Sequence, residues 1–201
     1  MLWLALAIAS QAAASGPTLT KDVRTVFRAD DYPASALQRG EQGAVLPEIL
    51  INPSGGVELC TIAASSGYQD LDSTTCAIIQ ERAKFPPPTG PNGEPVYLLK
   101  RIPIGWGLGG PLPFRVNADM ELSINQAPAG VQLPTSVFIK FLRNPDGSVT
   151  SCHATVAAPP ELVGLACRAT DQSARRIIRN AAKQPVTAWD GAEVRFILQK
   201  S

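Results

Sequence analysis

The chain has 201 residues, 45% of them hydrophobic and 17% charged, enough apolar material for one core or two small ones and too much for a disordered polymer. Its 18 Lys plus Arg against 17 Asp plus Glu leave a net charge of +1. That balance excludes a generic binder of nucleic acid or anionic membrane, which needs a basic surplus.

In chain order the first feature is an address. Residues 1–9 are apolar throughout, and the small-residue run Ala12-Ala13-Ala14-Ser15-Gly16 follows. A short apolar core before an A-x-A step reads as a secretory signal over residues 1–14, with a buried N-terminal helix as the alternative. Export agrees with four cysteines, an even number suited to disulfides in an oxidising compartment.

A repeat organises the rest. Leu50, Asn52-Pro53, Gly55, Val57 and Cys60 recur as Leu142, Asn144-Pro145, Gly147, Val149 and Cys152, at a constant offset of 92 residues. Self-similarity at a domain-sized period implies repeated structural units. Asn-Pro-Ser-Gly and Asn-Pro-Asp-Gly are turn signals, with Pro presetting φ and Gly supplying φ > 0. The β-rich runs 44–51 and 57–63 flank the first turn, and 137–142 and 149–156 flank the second, so each unit opens with a β-hairpin.

A helix is expected next. In the first unit it spans about 72–84, capped by Asp70 or Asp72. In the second unit Cys167, Thr170, Ala174, Ile178 and Ala181 recur at helical spacing. A closing strand follows at 95–104 and again at 192–199. The fold class is therefore α+β: two tandem β-β-α-β units, each a small antiparallel sheet packed on a helix.

Between them lies a Gly/Pro-rich linker, 107–113. It is followed by an alternating stretch, 114–124, with Val116, Ala118, Met120, Leu122 and Ile124 on one side, read as an amphipathic strand before the second unit. Period two places Cys60 and Cys152 on the apolar strand faces that meet the helices, so pairing within units is expected: Cys60 with Cys76 and Cys152 with Cys167.

No catalytic pattern emerges. His153 is the sole histidine, the cysteine spacings are too wide for zinc, and residues 107–110 lack a phosphate loop's Lys-Ser/Thr. The chain is expected to be no enzyme and to need no cofactor and no metal.

Asp31-Tyr32-Pro33-Ala34, Gly43, Asn52-Pro53-Ser54-Gly55, Val57, Ser65-Ser66-Gly67, Leu71-Asp72, Ala83 with Phe85-Pro86, and Ile102-Pro103-Ile104 occur in an order that resembles the TonB C-terminal domain family. The resemblance covers about 30–106. Residues 137–198 resemble it more weakly, within a divergent second copy at 114–201 that keeps the turn, both cysteines and the last strand.

TonB-like proteins carry energy from an inner-membrane motor to outer-membrane transporters, and their C-terminal domain takes a transporter segment as an added strand on its sheet edge. The resemblance thus implies a periplasmic binding protein. Its partner is a protein, either a TonB-dependent outer-membrane transporter or a second copy paired edge to edge, and not nucleic acid. The alternative is a structural or assembly module of the envelope. With the last strand at an edge, and Pro103 interrupting the first copy's donor row, the favoured peptide-binding residues are Ala192, Glu193, Val194, Arg195, Phe196, Ile197 and Leu198. Against this stands mutual capping of the two last strands.

Overall fold

The computed structural model describes residues 23–109, 112, 118–173 and 176–199. The expected signal at 1–14 and residues 114–117 of the alternating stretch lie outside them.

After short 3₁₀ turns at Val23–Val26 and Ala29–Asp31 come α1 (Ala34–Gln38), β1 (Gly43–Ile51), β2 (Val57–Ala64), α2 (Gln69–Arg82), β3 (Tyr97–Arg101) and β4 (Ile104–Trp106). The remainder is β5 (Met120–Ile124), β6 (Thr135–Arg143), β7 (Val149–Ala154), α3 (Pro160–Gln172) and β8 (Ala188–Leu198). A hairpin forms about each Asn-Pro turn, and a helix follows each hairpin.

The hairpin turn of the first unit shows why its glycine is needed. Gly55 has φ 85°, and a Cβ there would lie 2.0 Å from the carbonyl oxygen of Phe85. The Phe85 amide in turn donates to the Gly55 carbonyl at 3.0 Å. The chain leaving α2 is thus laid directly on the turn. Asn52 Oδ1 accepts from the amides of Ser54 and Gly56, both at 3.0 Å, closing the turn from within.

All strands join one sheet of order β2-β1-β3-β8-β6-β7, with β4 beside β1 and β5 beside β8. The two units therefore share a sheet rather than forming two. The seam is a parallel pair, Tyr97 with Ala188 and Leu98 with Trp189.

Register fixes the faces. Ile51, Leu98, Trp189 and Leu142 form one row across four strands and pack with Leu71, Ile78 and Ile79 of α2. Val137, Ile139 and Phe141 alternate with Leu142 on β6, so they point the other way, where they meet Leu162 and Ala166 of α3. The helices cover opposite faces of the sheet. Parallel last strands with helices on opposite faces place the two units about a pseudo-two-fold axis running along the strands.

The chain leaving each helix then crosses to the other unit. Thr89, after α2, accepts from the Trp189 indole at 2.8 Å. Ile178, after α3, packs on Leu50 and Leu99.

Three expectations need correction. First, α3 ends at Gln172, so Ile178 and Ala181 lie in the crossover and not on a helix. Their spacing was apolar because Ile178 must bury against the first unit's open sheet face. Second, α2 is capped at Tyr68, not at Asp70 or Asp72. Asp72 instead reaches back to the Ser66 amide at 2.9 Å, while Asp70 accepts from Arg39 at 2.8 Å. Both carboxylates still sit in the first helical turn, where the dipole favours them.

Third, Ala192, Glu193, Val194, Arg195, Phe196, Ile197 and Leu198 are not an edge. They belong to β8, which pairs with β6 from Ala188 to Phe196 and with β3 and β5 on its other side. Val194 and Phe196 are fully buried. The two last strands cap each other at two residues only, and residues 194–198 are covered instead by β5, from the stretch between the units.

The disulfides join Cys60 to Cys76 and Cys152 to Cys167, with Cα separations of 5.5 and 5.9 Å. Each ties the second hairpin strand to the helix above it.

Candidate strand-accepting edge

The seam between units carries a cluster of charge. Arg101 of β3 reaches Glu48 of β1 at 3.3 Å, Asp190 of β8 at 3.3 Å, and Asp119 just before β5. Arg143 of β6 lies 3.5 Å from the other oxygen of Asp190, and both residues are about 5% exposed. Burial pushes the Asp190 carboxyl above its ordinary range, against the pull of Arg101 and Arg143. Burial would lower the Arg101 pKa, yet the carboxylates around it, Asp119 foremost, hold it raised. Arg101 is engaged on three sides within the chain, and Arg143 donates to the Gly147 carbonyl at 3.1 Å while its buried Nε makes no hydrogen bond, so the cluster acts as a clamp centred on Arg101. It also fills the stretch where β3 and β5 leave β8 unpaired: the Glu193 amide donates to Asp119 at 2.8 Å.

Lys140, His153 and Trp189 form a second group. The ammonium sits 4.2 Å from the indole centroid, and the imidazole meets the indole edge-on at 6.0 Å. Burial lowers the Lys140 pKa, and Lys100 adds to it. His153 thus stacks on a ring, while Cys152 and Cys167 are committed to their disulfide.

The edge left to consider is that of β4. Its three residues pair with β1 on one side, Trp106 with Gly43, Gly105 with Ala44 and Ile104 with Val45. Among the described residues no strand pairs with its other side. β4 begins after Ile102-Pro103, where Pro103 interrupts the strand begun by β3 because it has no N–H to give. Ile104 and Trp106 are buried toward α2, and the Trp106 indole donates to Thr75 at 2.8 Å.

A groove runs beside this edge, lined by Phe27, Tyr32 and Leu37 together with Ile104, Trp106 and Leu108. The sequence did not mark residues 27, 37 and 108 as one site, because a coil between two short 3₁₀ turns, a one-turn helix and a linker glycine run do not announce that they converge.

The second unit shows what such an edge does. β5 lies parallel along β8, Met120 opposite Val194, Leu122 opposite Phe196 and Ile124 opposite Leu198. Its apolar side chains join the core under α3. By the 92-residue offset, Phe196 and Leu198 correspond to Ile104 and Trp106. β5 is therefore a strand added to the last strand of one unit, at the position that no described strand occupies in the other.

Residues 28–108 match the family model described as Gram-negative bacterial TonB protein C-terminal. The first unit is thus similar to that family's C-terminal domain. No curated protein matches the chain, and no solved structure matches it. Among the described residues no helix is long and apolar enough to cross a membrane.

Proposed function

We propose that this chain is a periplasmic TonB-like binding protein, not an enzyme, that takes an extended segment of an outer-membrane transporter or another envelope protein onto the outer edge of β4. The observation that carries the reading is the pairing of β5 with β8: the chain performs strand addition on itself in the second unit and leaves the matching edge of the first unit without a described strand. An edge offers its N–H and C=O groups to any extended backbone, and side-chain pockets beside it supply selectivity. The similarity of residues 28–108 to the TonB C-terminal domain supports a protein partner of this kind.

In this reading residues 114–201 are a divergent second copy of the same domain. Its last strand is committed to the seam and to β5, so it serves as a platform while the first copy binds. The role belongs to TonB-dependent transport.

The test is capture from detergent-solubilised outer membranes with the oxidised chain from residue 15 onward. Enrichment of TonB-dependent transporters, abolished by excess of a synthetic peptide from a captured transporter's periplasmic segment, is the expected result. Enrichment that the peptide leaves intact would sink strand addition.

A second reading, an envelope assembly module, draws on one observation: β2 and β7 end the sheet, and among the described residues neither has a strand beyond it. Stable oligomers in sedimentation, dispersed by charged substitutions on those two strands, would favour it.

A further inference from the structure

The groove beside β4 has a shape and charge of its own. Its volume is about 490 Å³, within the range of roughly 300–1,000 Å³ typical of specific small-ligand pockets. Three rings build its wall. Phe27 and Tyr32 both meet Trp106 edge-on, with centroids 5.7 and 5.4 Å away.

Two of those rings are held from behind. Trp106 is tied to Thr75, and the Tyr32 hydroxyl donates to the Glu41 carbonyl. They are fixed in place and do not depend on collapsing into the cavity for burial. Leu37 and Leu108 stand at the rim, 53% and 44% exposed. Arg24 and Arg28 line the same cavity, with the Asp31 carboxylate near Arg28, and among the described lining residues there is no carboxylate.

The second unit defines how a strand would meet this cavity. β5 turns Leu122 and Ile124 inward beside Phe196 and Leu198. A strand laid parallel on β4 in the same register turns alternate side chains toward α2 beside Ile104 and Trp106, which are walls of the groove. One inward side chain then enters a space bounded by rings, with cationic side chains at its border. Aromatic guests suit such a wall, because edge-to-face packing adds to simple burial, and carboxylates suit the arginines.

We propose that the β4 edge selects an acidic extended peptide anchored by one large aromatic side chain, which enters the groove between Phe27, Tyr32, Leu37 and Trp106. The proposal rests on the strand-addition reading above and states which strands that edge prefers.

The probes are fluorescein-labelled peptides with the chain's own β5 sequence, residues 119–124, which already carries Asp119 and Glu121. One has Leu122→Trp and one has Leu122→Ala. Each is titrated by anisotropy into the full oxidised chain and into its Leu37→Asp variant, and the binding site is located by amide chemical shifts. The expected result is shifts centred on residues 104–107, with the Trp peptide bound about tenfold tighter than the Ala peptide. In Leu37→Asp that preference disappears. Equal affinities with shifts at 104–107 would overturn the aromatic anchor and leave strand addition standing. No shifts at that edge, or shifts confined to residues 194–198 as the peptide displaces β5, would overturn both.

Discussion

Single side chains decide whether the β4 edge keeps its shape. Thr75 is fully buried, donates to the Leu71 carbonyl at 2.8 Å and accepts from the Trp106 indole at 2.8 Å. Thr75→Val keeps the volume and removes the acceptor, leaving a buried N–H without a partner. The expected loss is about 1–3 kcal/mol in urea unfolding, with Thr75→Ser close to wild type. Asp31 works at the neighbouring turn. Burial raises its pKa, but the hydrogen bond from Arg82 at 2.7 Å, the Arg28 amide and the two guanidinium charges outweigh it, and the net shift is downward from 3.8. A carboxyl lowered on folding stabilises above its unfolded pKa and loses that contribution as pH falls through the folded value. Asp31→Asn should therefore be less stable than wild type at pH 7, and the difference should shrink as pH falls below 3.8. A gap that stays constant down to pH 2 would show the charge to be irrelevant.

Elements follow from the repeat wherever local chemistry speaks. The Asn-Pro-x-Gly turns, the alternating strands and the strand–helix cysteine pairs could all be read along the chain. Each disulfide closes a loop of 16 or 15 residues. Replacing either pair by serine should cost about 3 kcal/mol, checked by denaturation of the oxidised variants. Reading failed where an element's role depends on distant partners. β8 looked like an edge strand because strand order leaves no mark on alternation. Residues after Gln172 looked helical because a segment crossing an open sheet face must also bury an apolar residue, here Ile178. Leu122, on β5, packs half-buried into the core under α3. Leu122→Ala should cost about 2 kcal/mol and raise hydrogen exchange along residues 194–198, which β5 alone covers on that side.

At the scale of the whole molecule, the two units are joined by two pairs of β3–β8 residues, two crossover segments and one cluster of charge. Arg101 is its hub, facing Glu48, Asp119 and Asp190. Arg101→Met leaves Asp190 buried with Arg143 and Arg176 as its remaining cations, and the expected loss is about 3 kcal/mol. Because Leu142 and Trp189 of the second unit are packed into the first unit's core, wild type should unfold in a single transition by calorimetry. Two resolved transitions would mean that the units fold independently. The position of the proposed accepting edge was the least legible feature. Its residues lie in a coil between 3₁₀ turns, a one-turn helix, a proline-broken strand and a linker, and only the comparison with β5 on β8 marks it.

Hydrogen exchange resolved by residue, on the full oxidised chain with and without a bound extended peptide, tests the central claim most directly. Strand addition at β4 predicts slowed exchange confined to amides of residues 104–107, with β2 and β7 unchanged. Protection along residues 57–64 or 149–154 instead, with 104–107 unaffected, would contradict it and assign binding to the ends of the sheet.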